Sequence, residues 1–339
     1  MEQILLKNSS QNGSEGDQRP EIRLQSNKPS EAPKGDDRAF IKANTKPVNL
    51  EALKRECIVP VFAKDNEVTI SHDQFVETGL RAAKEVLGGK IEMPQIRVSH
   101  EIRGRTPDAI HLPADQLEDK QKTLYYERMA WVARIPEITT RVGGNELSLA
   151  IGGVRSLNHE NLHSKKGVEK FKAFIGFQNM VCLNLCISTD GYRSEIKTDN
   201  LQDLSTKLKE LIGLFNPPGE RQFYHELEGA FLSERQFATL IGKLRMYHHL
   251  PGDQKKELPE ITLTDNQFNL MARDYYKSKS FCRGKDGRIN LWRLYNLFTS
   301  ANKSSYIDSL LDRNLNGFQL VKGISNSLDQ KGKYDWFLN

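Results

Sequence analysis

The feature that most constrains the fold is a change of side-chain period near residue 199. Between Pro94 and Thr198 the period is two. Ile96, Val98, His100 and Ile102 alternate with Arg97, Ser99, Glu101 and Arg103. Tyr125, Glu127, Met129, Trp131, Ala133 and Ile135 alternate with Tyr126, Arg128, Ala130, Val132 and Arg134. Val181, Leu183, Leu185 and Ile187 alternate in the same way with Cys182, Asn184, Cys186 and Ser188. Successive side chains of a strand point to opposite faces, so this spacing predicts an antiparallel sheet with one buried face. Asp190-Gly191 supplies turn chemistry ahead of Tyr192 to Thr198 and predicts a hairpin there.

After Asp199 the apolar positions recur at helical spacing. Leu201, Leu204, Leu208, Leu211 and Phe215 form one stripe, which Pro217-Pro218 ends. Further stripes are Phe237, Leu240, Ile241 and Leu244; Phe268, Met271, Ala272 and Tyr275; and Leu291, Leu294, Tyr295 and Phe298. A last helix is predicted from about Ser304 or Ser305, with Ile307, Leu310 and Leu311 inward. Three helix starts, at Ser71, Ser233 and Thr264, share an apolar residue, a hydroxyl, two polar residues, Gln and Phe. The hydroxyl and the Gln side chain satisfy each other's backbone N–H, while the apolar pair staples the turn. Strands followed by helices in separate runs define the α+β class, an antiparallel β-sheet core with flanking helices and a C-terminal helical part.

Residues 8–38 are rich in Asn, Ser, Gln, Gly and Pro, too poor in large apolar groups to offset the entropy of ordering. The predicted organisation is therefore a disordered tail over 1–38, an α+β sheet domain over 39–198, and a helical part over 199–339 packed on the sheet, with room for both to form one domain. Leu50 to Glu56 reads as a short helix, and Ile58 to Phe62 as the start of an edge strand, because Pro60 cannot donate to a ladder. No apolar run approaches the ~18 residues a membrane-spanning helix needs, and Ile4-Leu5-Leu6 is too short for a secretory signal. Four cysteines in 339 residues do not make a disulfide framework. The expectation is a cytoplasmic protein away from membranes.

Net charge is a mild +5, so placement carries more information than magnitude. From Arg273 to Arg293 seven cations (Arg273, Lys277, Lys279, Arg283, Lys285, Arg288 and Arg293) face only Asp274 and Asp286, with Tyr275, Tyr276, Phe281 and Trp292 interleaved. Cations neutralise phosphates and aromatic faces stack on unpaired bases, which suits single-stranded nucleic acid. Tyr276 and Phe281 lie off the clearest apolar stripe and are the stacking candidates, whereas Tyr275 and Trp292 fall on core faces. Arg97, Arg103 and Arg128, with Arg105 and Arg134, are expected to extend the groove over the non-core face of the sheet.

Catalytic patterns are sparse. His159-Glu160-Asn161-Leu162-His163 matches H-E-x-x-H, which on a helix sets two imidazoles around zinc with the Glu as base. Gly152-Gly153 upstream and Ser164-Lys165-Lys166-Gly167 downstream, with no apolar stripe to bury a helix, read instead as a loop between strands. Cys182 and Cys186, four apart on a strand, would stand about 13 Å from each other and share neither a disulfide nor a zinc ion. No phosphate-cradling loop or G-x-S-x-G elbow is present. No catalytic residue, metal or cofactor is expected. A protein-interaction subunit and a zinc-dependent hydrolase through residues 159–163 are the alternatives to nucleic-acid binding.

Several stretches carry a family resemblance. They include Val59 to Glu67, Ile96-Arg97-Val98-Ser99-His100, Tyr126-Glu127-Arg128-Met129 and Ile151-Gly152-Gly153-Val154. Val181-Cys182-Leu183-Asn184, Ser188 to Tyr192 and Trp292 to Thr299 complete the set. On these the chain from Ala39 onward resembles a bacterial family catalogued as domain of unknown function 3871. The V-C-x-N and W-x-x-x-N-x-x-T pieces also resemble, more weakly, phage- and plasmid-type proteins. The resemblance implies residence on bacterial mobile elements. It brings no assigned activity and no functional residue.

Overall fold

The computed structural model describes residues 39–57, 69–157, 168–330 and 332–339, with the backbone of residues 3–4 and 24–25. Two compact units are present, Met1–Asp37 and Arg38–Asn339. In the first, Gln3–Ile4 (β1) pairs antiparallel with Leu24–Gln25 (β2). The rest of the tail expected over 1–38, and the edge strand expected at Ile58 to Phe62, lie outside the described residues.

In the second unit Lys46–Val48 (β3) precedes Leu50–Glu56 (α1), the short helix the sequence predicts, and His72–Leu87 (α2). The sheet continues with Gln95–Arg105 (β4), Lys122–Val142 (β5), Asn145–Ser156 (β6), Glu169–Asn179 (β7), Leu185–Cys186 (β8) and Tyr192–Thr198 (β9). The helical part comprises Leu201–Leu214 (α3), Pro217–Gly229 (α4), Glu234–Tyr247 (α5), Gly252–Lys256 (α6) and Asp265–Lys277 (α7). It ends with Leu291–Asn302 (α8) and Ile307–Asp329 (α9). Phe231–Leu232 (β10) and Ile289–Asn290 (β11) form a small ladder that ties the entry of α5 to the entry of α8. The large sheet is antiparallel in the order β3-β4-β5-β6-β7-β8, with β9 also on β7. The protein is α+β.

Local chemistry explains the helix starts. Ser71 and Ser233 accept from the N–H of Gln74 and Gln236, whose side chains accept in return from the cap N–H at 2.8 and 3.0 Å. Gln267 likewise accepts from the Thr264 N–H at 2.9 Å. The stapling pairs Ile70/Phe75, Leu232/Phe237 and Leu263/Phe268 are all buried in the main core.

The structure corrects the expected sheet in three ways. First, both faces are covered at its centre. Met129, Trp131, Ala133 and Ile135 join the main core with α2 and most of the helical part. Ala130, Val132, Ala150, Val154 and Phe174 form a second core with Phe40, Ile41 and the start of α9 (Ile307, Leu310, Leu311). Alternation misses this because Ala, Gly and Val stand on the second face, small enough to let a helix approach. Second, residues 180–184 are not a strand. Asn179 Oδ1 accepts from the N–H groups of Val181 and Cys182 at 2.9 and 3.3 Å, and Leu183 adopts φ +56°, so only Leu185–Cys186 extends. Third, Asp190-Gly191 does not close a hairpin between neighbours. β8 and β9 both pair with β7, β8 at its C-terminal end and β9 at its N-terminal end. Gly191 passes against β7, its carbonyl accepting from Ile175 N–H at 2.8 Å, where any side chain would strike the Ile175 carbonyl.

α3 ends at Leu214, ahead of Pro217 as the helical period predicts, and Pro217 also opens α4. Its ring fixes φ at the first helical position, while the Asn216 side chain caps Gly219 N–H at 3.3 Å. Tyr224 and Leu227 of this helix are buried against α8 and the sheet.

Candidate nucleic-acid interface

The basic cluster sits where α7 ends and the chain turns back into β11. Its framework is apolar. Tyr275 stacks on Phe237 with ring centres 4.1 Å apart, and its hydroxyl donates to the Gly287 carbonyl at 2.6 Å. Gly284 and Arg288 are joined by a backbone hydrogen bond of 2.7 Å, and Gly287 takes φ +78° in the turn that the Gly284-Lys285-Asp286-Gly287 run predicts. Phe281 is only 4% exposed and Trp292 is buried, so both belong to the core. Phe281 therefore has no face to offer a base, although its position off the α7 stripe suggests one.

What this framework displays is a set of cations around two exposed rings. Tyr276 is 56% exposed and Phe231 43%. The Arg283 guanidinium lies 4.9 Å from the centre of the Tyr276 ring, and that of Arg288 lies 5.2 Å from Phe231. Glu234 holds the first pair together, accepting from the Tyr276 hydroxyl at 2.6 Å and from Arg283 at 2.9 Å. That hydrogen bond raises the Tyr276 pKa. Asp286 binds Arg288 at 2.7 Å, which lowers its own pKa, and Asp274 binds Arg273 at the same distance. Lys277, Lys279 and Lys285 are exposed and form no ion pair with any described residue. Phe231 carries no sequence signal because it lies well upstream; only the β10–β11 ladder, pairing it with Asn290, brings it here.

The sheet cations have different surroundings. Arg97 donates to the Thr45 hydroxyl and carbonyl at 3.0 and 3.2 Å. Arg128, largely covered, pairs with Asp308 of α9 at 3.4 Å. Arg134 pairs with Glu92 at 2.6 Å, and Arg105 donates to the Leu112 carbonyl. Arg103, 85% exposed in its side chain, leans on Glu101 at 3.0 Å. The face expected to extend a groove is instead the seat of α9, where Lys172 meets Asp312 at 2.5 Å and the Tyr192 hydroxyl donates to the same carboxylate.

One charged cluster has no sequence signal. Arg155 is fully buried, donating to Glu169 at 2.5 Å and to the Ile70 carbonyl, and its guanidinium lies 4.6 Å from the Phe171 ring centre. Glu169 accepts in turn from Ile70 N–H at 3.1 Å. His72 beside them bonds the Tyr126 carbonyl at 2.8 Å; burial, reinforced by the charge of Arg155, lowers its pKa to about 3. These contacts lock the start of α2 onto β6 and β7, a structural role.

His159, Glu160 and His163 lie outside the described residues. Among the described residues no group of three His, Cys, Asp or Glu side chains is placed to hold a metal ion. Cys186 is buried in the core and Cys182 packs partly buried against it, burial raising both thiol pKa values. Asn296 and Asn302, polar groups on an apolar helix, donate to the Trp292 and Leu310 carbonyls at 3.0 and 2.8 Å. No helix among the described residues is long and apolar enough to cross a membrane.

The molecule is thus an α+β protein whose antiparallel sheet is buried on both faces at its centre, with a basic, ring-bearing corner on its helical half. Over residues 27–338 the chain matches the family model described as "Domain of unknown function, B. Theta Gene description (DUF3871)", and it belongs to that family. Comparison with curated proteins and with solved structures returns no match.

Proposed function

We propose that this chain is a non-enzymatic, cytoplasmic accessory protein of a bacterial mobile element that holds single-stranded nucleic acid at the α7–β11 corner. The observation that carries the reading is the pair of exposed rings, Tyr276 and Phe231, each faced by an arginine, on a corner whose Lys277, Lys279 and Lys285 are exposed with no described counter-ion. Bases stack on such rings whatever their identity, while the cations follow the backbone phosphates. Arg273, Lys277, Lys279, Arg283, Lys285 and Arg288 contact phosphate in this reading, and Tyr276 and Phe231 take the bases. The weaker resemblance of the V-C-x-N and W-x-x-x-N-x-x-T pieces to phage- and plasmid-type proteins supports the mobile-element setting.

Fluorescence anisotropy with labelled single- and double-stranded oligonucleotides tests this at about 50 mM salt, where phosphate contacts are strongest. The expected result is saturable binding that favours the single strand and is lost when the six basic residues are changed to Ser. Absence of binding to either oligonucleotide overturns the reading.

A further inference from the structure

The sheet has one unfinished margin. β3 pairs with β4 only from Ile96 to Val98, and β6 meets β5 only from Arg128 onward. Between those limits Ser99–Arg105 of β4 and Lys122–Glu127 of β5 form a two-stranded ribbon, each paired only with the other among the described strands. The chain before β3 turns away from it: Lys42 N–H donates to the Lys303 carbonyl at 2.7 Å. His100 adopts φ +55° just past the point where β3 ends. The outer margin of Ser99–Arg105 therefore has no pairing strand among the described residues. A seven-residue edge, about 20 Å long, is a template for another strand.

We propose that this margin pairs with the same margin of a second copy, making an antiparallel two-fold dimer centred on Ile102. Charge complementarity selects this register in the sequence Ser99-His100-Glu101-Ile102-Arg103-Gly104-Arg105. A two-fold axis at Ile102 sets Ile102 against the partner's Ile102, and Glu101 against the partner's Arg103, twice over. His100 then lies opposite the partner's Gly104, which has no side chain to obstruct the kinked strand. Neighbouring registers lose this match: an axis at Glu101 opposes two carboxylates, and one at Arg103 opposes two guanidiniums. Isologous contacts of this kind close on themselves and stop at two copies. Glu101 and Arg103 already share one side of the ribbon, bonded to each other at 3.0 Å, with Lys46 also on Glu101. A second copy thus meets a preformed alternation of charge. Tyr125, the cross-strand neighbour of Ile102 and only partly buried, widens the apolar centre. The contact is small, so the dimer is weak and reversible, with dissociation in the micromolar range. It involves neither the α7–β11 corner nor nucleic acid, and stands or falls apart from that reading.

Sedimentation velocity of the full chain without nucleic acid, from about 1 to 100 µM at 50 mM salt, reads the association. Wild type is expected to pass from monomer to dimer across this range. E101R alone and R103E alone each place like charges opposite one another and weaken self-association at least tenfold. Mixed in equal amounts, the two variants restore the dimer, because each then opposes the other's charges. Circular dichroism confirms that both are folded, and an unfolded variant could not recover on mixing. A wild type that stays monomeric at 100 µM overturns the proposal, as does a dimer indifferent to either substitution or a mixture that fails to associate.

Discussion

The cations of the sheet and those of the α7–β11 corner look alike in sequence and differ in what the fold asks of them. Arg155, Arg128 and Lys172 each meet a carboxylate that a neighbouring element brings to them. Lys277, Lys279 and Lys285 are exposed on the same stretch of chain as Tyr276, without an ion pair to any described residue. A guanidinium withdrawn from water has to be paired and hydrogen-bonded, so the sheet set is committed to holding the structure together. An exposed lysine costs the fold almost nothing and stays available to a polyanion. Density of positive charge along a chain does not distinguish these fates; the position of the nearest carboxylate does.

The contrast is most exposed to failure at Arg155. Changing it to Met leaves the Glu169 carboxylate buried without its counter-charge, with an expected loss of about 3–5 kcal/mol in urea unfolding. A loss below about 1 kcal/mol contradicts the committed role. Phe281→Ala, which opens a hole beneath the corner, is expected to cost about 3 kcal/mol or more by the same measurement. A Phe281 that served a base would instead change affinity and spare stability.

Burial of His72 is expected to contribute a pH response between about pH 6.5 and 3. Its folded pKa is depressed to about 3, against an unfolded value near 6.5, so the unfolded chain binds the extra proton between those limits. The contribution is complete above about pH 6.5 and is lost as pH falls toward 3, reaching about 2 kcal/mol at pH 5. His72→Gln retains a side-chain N–H for the Tyr126 carbonyl and is expected to flatten the stability profile between pH 7 and 5. An unchanged slope would show that His72 does not set the profile. Comparable is Arg128→Gln, which parts the largely covered pair with Asp308 for about 1–3 kcal/mol and leaves nucleic-acid affinity unchanged. Tyr276→Ser sits at the far end: stability within about 0.5 kcal/mol of wild type, but oligonucleotide affinity lowered about tenfold by the lost stacking surface.

The legible parts of this fold were those governed by local chemistry. Ser71, Ser233 and Thr264 mark helix starts because the hydroxyl, the Gln and the stapling Phe lie within five residues of one another. The strand period shows from Met129 to Ile135, where Met129, Trp131, Ala133 and Ile135 form an unbroken stripe on one face, and slips just upstream, where Tyr126 rather than Tyr125 joins the same core. Features made by long-range contacts were invisible. Nothing near Ala130 or Val132 announces that the start of α9, far later in the chain, covers them. Pro217 signals a stop and a start equally well until Asn216 is seen capping the helix that Pro217 opens. Within the corner, Tyr276 could be placed from its helical phase, but Phe281 could not, since a turn residue has no phase. Phe231 needed a ladder pairing to be seen at all.

The division of labour between the two sets of cations is tried most directly by one salt titration. It reads the slope of log affinity against log salt for a single-stranded oligonucleotide, from about 50 to 300 mM, in three proteins. These are wild type, the variant with Lys277, Lys279, Lys285 and Arg288 changed to Ser, and Arg128→Gln. A steep slope is predicted for wild type and Arg128→Gln alike, and a slope shallower by about three to four in the corner variant. Equal slopes in wild type and the corner variant, or a loss confined to Arg128→Gln, would contradict that division.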